Sequence, residues 1–327
     1  LLMTNADPDM TDSAGDPLRR VLLLGATGTI GRATLRALLE RGHEVVCFLR
    51  HQPDRSGRQP SGDTPDPLAG AELRFGDVTS AKSLAENGFR GETFDAVMSC
   101  MASRSGAPKD AWAIDYEAHR TALAAARTAS VPHFILLSAI CVQKPRLAFQ
   151  HAKLAFEKAL IESGLTYSIV RPTAYFKSLS GQVERVRKGK SFLLFGDGAL
   201  TACKPISDDD LGRYLVDCLT DGQRHDRILP IGGPGGPITP KQQGERLFAL
   251  AGREPQYSHV PVRLLDAVIA LLTAVGWFVP AARRKAELAR IGRYYATESM
   301  LVWDADEGRY DAAATPSAGT ETLFDYY

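Results

Sequence analysis

Gly25-Ala26-Thr27-Gly28-Thr29-Ile30-Gly31 stands between a short apolar run, Val21–Leu24, and an amphipathic stretch, Ile30–Arg41, whose Ile30, Leu35, Leu38 and Leu39 share one face. A strand that feeds a helix through glycines at this spacing has a physical reading. Gly25 permits the tight turn, Gly28 lets the backbone approach a pyrophosphate, and Gly31 lets the helix lie close on the strand. Amides at the helix start, aided by the helix dipole, then face the anion. The spacing alone says little. Its strand–turn–helix context decides the fold.

Outward from the loop, strand and helix patterns alternate. Gly42 ends the first helix and Glu44–Arg50 reads as a second strand. After a long Pro-, Gly- and Asp-rich loop, His51–Gly70, further strands are expected at Glu72–Phe75, Phe94–Cys100, His133–Ser138 and Thr166–Arg171. Helices are expected between them at Ala81–Glu86, Trp112–Thr128 and Leu147–Ser163. This alternation predicts an α/β fold, a Rossmann doubly wound parallel sheet of six strands. Beyond Pro172 helical patterns at Gln182–Arg187, Asp208–Leu219, Pro240–Ala251, Val262–Val275 and Ala281–Tyr294 are broken by Gly/Pro clusters. They predict a smaller, mostly helical C-terminal substrate lobe. The expected division is a disordered tail over 1–19, a nucleotide domain over 20–175 and a substrate lobe over 176–327, with exchange of chain between the lobes left open.

Composition excludes several classes. Lys+Arg 39 against Asp+Glu 38 leaves a formal net charge of +1, so nothing draws the chain as a whole to nucleic acid. Cys47, Cys100, Cys141, Cys203 and Cys218 form no C-x-x-C pair and the histidines no ligand spacing, so no metal is expected. The acidic N-terminal stretch does not read as a signal peptide, and a cytoplasmic protein is expected, at most peripheral to a membrane. The most apolar run, Leu264–Pro280, reads as a buried helix or as a surface helix that touches lipid or covers a greasy substrate.

The end of the second strand bears on cofactor choice. An NAD enzyme places a carboxylate there for the ribose hydroxyls. Here Arg50 occupies that end, Arg55 and Arg58 follow, and Arg32 adjoins Gly31. Arginines grip a 2′-phosphate that a carboxylate would repel, so NADPH is predicted. Asp77 and Val78 are placed to meet the adenine, and Met101 and Ala102, with Ser103, to run beneath the ribose.

The glycine loop, Gly76-Asp77-Val78, Ser138 and Lys153, in this order, resemble the short-chain dehydrogenases/reductases across Val21–Thr173. Ordinary members carry a tyrosine four residues before the lysine; Phe149 stands there in this sequence. That tyrosine exchanges a proton with a substrate oxygen, which reduction of a carbon–carbon bond does not require. The departure, with Val170-Arg171-Pro172-Thr173, is similar to the isoflavone-reductase-like and NmrA-like branch. Leu136–Pro145, Phe149–Leu160, Ser168–Gln182 and Arg293–Val302 further resemble the NADPH-dependent 8-vinyl reductases of chlorophyll and bacteriochlorophyll biosynthesis, over about Arg20 to Tyr327.

The resemblance implies reduction of the C8 vinyl group of a divinyl chlorophyllide to ethyl, in a bacterial cytoplasm, peripheral at most to the photosynthetic membrane. It adds Ser138, Lys153, Arg171, Pro172 and Thr173 to the cofactor site. Lys153 is the first proton-donor candidate, against a plain surface pairing with Glu157 one turn on. Tyr116, Ser138, His151 and Tyr175 are further donor candidates. A planar tetrapyrrole with propionates needs a wide apolar slot, for which Phe149, His151, Phe176, Trp277 and Phe278 are the candidates, with Lys177, Arg283 and Arg284 at its rim. Two other functions fit the same motifs. One is a different atypical reductase, acting on an enone or quinone, and the other is an NADP-sensing NmrA-like regulator without turnover.

Overall fold

The structure is a computed structural model in which residues 17–50 and 67–327 are described. Arg55, Arg58 and the tail expected before residue 17 lie outside these. The nucleotide half runs β1 (Arg20–Leu24), α1 (Thr29–Glu40), β2 (Glu44–Arg50), β3 (Glu72–Gly76), α2 (Ala81–Ser83), β4 (Ala96–Ser99), α3 (Pro108–Ala111), α4 (His119–Thr128), β5 (His133–Leu137), α5 (Ala148–Ile161) and β6 (Thr166–Pro172). Then come α6 (Phe176–Leu179), α7 (Val183–Arg187), β7 (Phe192–Phe195), α8 (Asp208–Asp217), β8 (Arg227–Ile231), α9 (Pro240–Leu250), β9 (Tyr257–Val260), α10 (Val262–Val275), α11 (Pro280–Thr297), β10 (Val302–Asp304), β11 (Arg309–Asp311) and α12 (Leu323–Tyr326).

Seven strands form one parallel sheet in the order β3-β2-β1-β4-β5-β6-β8. Side-chain alternation explains its two buried faces. Val21 and Leu23 of β1 pack with Leu35, Leu38, Leu211 and Leu215 on one side. Leu22 and Leu24 pack with Ala122, Phe134, Phe156 and Leu160 on the other. Strand order reverses between β1 and β4, opening the crevice in which such sheets hold ligands.

The sheet has seven strands where the sequence pattern suggests six. The additional strand, β8, comes from beyond residue 175, and α8, also from beyond it, packs on α1. At that crossing a Cβ on Gly212 would stand 2.7 Å from the Ala33 carbonyl carbon, so only glycine allows the approach. β8 escapes the sequence reading because Pro230 interrupts it and, as an edge strand, it is only partly buried. The rest of the second half includes a parallel pair, β7–β9, over Val186, Phe192, Leu194, Leu247 and Phe248, an antiparallel pair, β10–β11, and the α10–α11 hairpin. No side chain of α10 is fully buried, which selects the surface helix of the two readings of Leu264–Pro280.

Two histidines make the fold acid-sensitive. His119 is buried, with Nε2 2.9 Å from Ser99 Oγ and Nδ1 2.8 Å from the Ile114 carbonyl oxygen. Burial, then the nearby Lys153 charge, pushes its pKa down to about 4. His133 pairs with Ser168 across β5–β6 at 3.0 Å, and burial, then His225, pushes it down to about 3. Both folded values lie below the ordinary 6.5. The unfolded chain therefore binds protons first, and stability present above pH 6.5 is lost as pH falls toward 4 and 3. Each residue contributes about 1.4 kcal/mol per pH unit in that window. Urea titrations should show a loss of about 3 kcal/mol between pH 6.5 and 5, most of which a His119→Asn/His133→Asn variant should lack.

Candidate active site

The phosphate loop has the geometry its glycines suggest. Gly25 has φ +82°, and a Cβ there would lie 2.7 Å from the Cys100 carbonyl carbon. Gly28 donates its amide to Gly25 O at 3.1 Å and accepts from the Arg32 amide at 3.0 Å. Gly28 is the N-cap of α1, with no side chain capping the helix and no acid in its first turn. The first-turn amides of Thr29, Ile30 and Gly31 thus lack an intrahelical acceptor and face the crevice mouth. Ala26 and Ile30 are buried beneath the loop, and Thr27, Gly28 and Thr29 are exposed. Lys177 reaches across from α6 to Thr29 Oγ1 at 3.3 Å, which brings a cation of the second half to the anion cradle.

Arg32 and Arg50 are exposed and form no ion pair among the described residues. Arg50 pairs in register with Gly76, and Asp77 follows. The Thr79 hydroxyl and amide, helped by Arg50, hold the Asp77 carboxyl below its usual range. Val78 is buried in the core and supports this wall from beneath.

The deepest part of the site is an ion pair. Lys153 Nζ lies 3.0 Å from Asp115 Oδ1, with side-chain exposures of 11% and 0%. Asp115 sits on a widened π-type turn, Trp112–Ala118, which interrupts the helix running from α3 to α4; such turns often mark functional positions. Ser103 donates its amide to the same Oδ1 at 3.3 Å. Asp115 Oδ2 is buried with no hydrogen-bond partner. A buried carboxylate oxygen left unpaired is costly, and it belongs to the carboxylate whose other oxygen accepts from the Ser103 amide and Lys153. The loop, the uncapped helix and this oxygen all fit a dinucleotide.

The pairing of Lys153 with Glu157 is not what forms. Glu157 is buried, accepts from Ser138 Oγ and is clamped by Arg171. Ser138 and Arg171 are thereby engaged in the wall behind the site. Thr173 Oγ1 donates to the Lys204 carbonyl, and Pro172 and Thr173 line a cavity.

That cavity, of about 400 Å³, opens at the carboxyl ends of β5 and β6. Its wall includes Ile140, Cys141, Tyr175, Leu179, Tyr295 and Met300. Its Ile140 and Cys141 pack in one cluster with Ala152, the residue before Lys153. Burial raises the Tyr175 and Tyr295 hydroxyls above the ordinary phenol value, so both stay protonated. Tyr295 Oη lies 3.8 Å from Cys141 Sγ, and Tyr175 forms no side-chain hydrogen bond among the described residues.

The expected substrate residues are placed elsewhere. Phe149 packs in the core with Tyr294 and Met300, and Phe176 is buried against Tyr326. His151 is exposed on α5. Trp277 and Phe278 lie at the tip of the α10–α11 hairpin, 84% and 89% exposed. Tyr116, a donor candidate, packs edge-on against Trp112, with Arg120 3.4 Å from its hydroxyl. None of these six lines the cavity.

A family model described as NAD(P)H-binding matches residues 25–222. The chain is 48% identical to the chloroplastic divinyl chlorophyllide a 8-vinyl-reductase of Cucumis sativus, over 94% of this chain and 75% of that one. It is 46% identical to the same-named protein of Oryza sativa subsp. indica, over 100% and 84%. The chain belongs to the divinyl chlorophyllide a 8-vinyl-reductase family. Among solved structures, the NADPH-dependent quinone oxidoreductase of Escherichia coli has the same fold, with a TM-score of 0.66 at 17% identity over 94% of this chain and 98% of that one.

Within this 8-vinyl-reductase family member, sequence reasoning missed Asp115, Tyr295, the engagement of Glu157 by Ser138 and Arg171, and the loop-side position of Lys177. Asp115 carries a faint signal at most, a carboxylate two residues before Glu117 inside the otherwise apolar stretch Ala111–Ala118. Tyr295 carries none, because its place in the cavity depends on α11 returning to β5.

Proposed function

We propose that this chain reduces the C8 vinyl group of a divinyl chlorophyllide to ethyl with NADPH. The carrying observation is an apolar cavity at the carboxyl ends of β5 and β6, in a dinucleotide fold that also holds a buried Lys153–Asp115 pair, in a chain 45–48% identical to four reductases named for this substrate.

Bound in the Gly25–Gly31 cradle, the cofactor supplies hydride. Lys153 and Asp115 would hold its ribose, and Lys177 and the α1 amides would hold its phosphates. The cavity takes the vinyl-bearing edge of the macrocycle and excludes water from it. One vinyl carbon receives the hydride, the electron pair spreads into the conjugated ring, and the other vinyl carbon receives a proton. Tyr175 is the donor this geometry favours. It lines the cavity, is held protonated by burial, and packs against the same core cluster as Cys100, which follows β4 beside the glycine loop. Lys153, tied to Asp115, suits an anchoring role better than a donor role.

Incubation of divinyl chlorophyllide with protein and NADPH should shift the Soret band slightly to the blue as the vinyl group is lost. No shift under anaerobic conditions with a freshly prepared substrate would overturn the assignment. Cofactor choice follows from Arg50. NADPH should bind more tightly than NADH, and Arg50→Ala should narrow the gap by about 1.5–3 kcal/mol, the range for a hydrogen bond to a charged group. Fluorescence titration of both cofactors measures it; equal dissociation constants in the parent protein remove Arg50 from the 2′-phosphate.

A further inference from the structure

The α10–α11 hairpin carries its apolar residues on the wrong side for a soluble helix. Leu264, Val268, Leu271 and Val275 recur at helical spacing, yet each is 39–65% exposed. The opposite face of α10 is already satisfied by α11, where Arg290 donates to Thr273 at 2.8 Å and Arg293 grips Asp266. The exposed stripe runs into Trp277 and Phe278 at the tip, the most exposed of the large apolar side chains among the described residues. A contiguous apolar surface of this kind marks an interaction site.

Charge identifies what covers it. From Ala267 to Ala286 there is no carboxylate, and Arg283, Arg284 and Lys285 follow directly on the tip. These cations occupy the start of α11, the end where the helix dipole disfavours them, and no carboxylate pairs with them among the described residues. An external anionic surface offsets that cost. Aromatic rings beside a cluster of cations match the headgroup layer of a bilayer, where Trp is enriched and anionic lipids attract Arg and Lys. Among the described residues no helix is long and apolar enough to cross a membrane, so the hairpin lies on the surface rather than spanning it.

We propose that the α10–α11 hairpin docks the protein on an anionic lipid bilayer, with Trp277 and Phe278 entering the headgroup layer. α11 runs from that tip to Tyr295 in the cavity wall. Docking therefore sets the cavity within one helix length of the membrane surface, where an amphiphilic substrate would concentrate.

The test is flotation of the full chain with vesicles of phosphatidylcholine, alone or with about a third phosphatidylglycerol. The protein should float with the mixed vesicles at least about tenfold better than with the neutral ones, and added salt should reduce this. Trp277→Ser/Phe278→Ser should lose flotation, and Arg283→Gln/Arg284→Gln/Lys285→Gln should lose the preference for anionic lipid. Both variants should bind NADPH like the parent, which checks the fold, since the altered side chains lie outside the cofactor crevice. Three results overturn the proposal. They are equal flotation on both lipids, parent-like flotation of Trp277→Ser/Phe278→Ser, and a lipid-free dimer that this variant dissociates, which would make the face an interface between copies.

Discussion

Lys153→Ala is expected to lower turnover of divinyl chlorophyllide by about 10²–10⁴-fold, the range for losing a group that positions reactants or moves a proton. Removing the ammonium also strands the Asp115 carboxylate, which is fully buried. Breaking one half of a buried pair costs about 3–5 kcal/mol of stability, so the single variant conflates catalysis with folding. Lys153→Ala/Asp115→Asn separates them. It buries no unpaired charge, should unfold near the parent's urea midpoint, and should remain as inactive as the single variant with weakened NADPH binding. Tyr175→Phe should show the complementary split, with NADPH affinity unchanged and turnover down by about 10²–10⁴-fold. Parent-like turnover in the double variant would detach the pair from the reaction. Parent-like turnover in Tyr175→Phe would pass the donor role to Tyr295.

What could be read from the sequence follows from the range of the interactions involved. The nucleotide half was legible because its signals are local. A buried parallel strand writes itself as an apolar run, a turn as glycine, and the phosphate loop as glycines within one turn of a helix. Arg50 was legible for the same reason, since it follows from the end of β2. The ion pair was not, because Asp115 and Lys153 lie on separate helices that meet only when β4 and β5 pair side by side. Glu157 shows the limit of local reasoning. At i+4 from Lys153 it is the obvious partner, yet Arg171 and Ser138, brought in by β6 and β5, take it instead. The places of the proposed substrate aromatics were out of reach by the same logic. Composition identifies Phe149, Phe176, Trp277 and Phe278 as large and apolar, but whether each ends in a core, a cavity or at a surface is a tertiary fact. For Trp277 and Phe278 the missing fact is that α10 has a partner on one face only.

Gly28→Val and Gly31→Val should fail in different ways, and the contrast tests the cradle more sharply than either alone. A side chain at Gly28 meets nothing nearer than the Gly25 carbonyl oxygen, at 3.4 Å, and φ there is −73°, which any residue adopts. The valine therefore folds without strain and projects into the open mouth where the pyrophosphate must lie. Gly28→Val should keep the parent's circular dichroism and urea midpoint while losing NADPH binding by at least about 100-fold, since the phosphate contacts are charge-assisted and several are lost together. At Gly31 even the first side-chain carbon would overlap the Gly25 carbonyl oxygen and crowd Ala26. That carbon has no flexible neighbour to displace, so α1 must lift from β1 and uncover Ile30 and Leu35 of the core. Gly31→Val should accordingly lose several kcal/mol of stability, as overpacking against backbone does, and express poorly, with cofactor loss as a consequence. A Gly28→Val protein that binds NADPH normally would move the pyrophosphate off this loop. A Gly31→Val protein as stable as the parent would show that α1 does not depend on this close approach to β1.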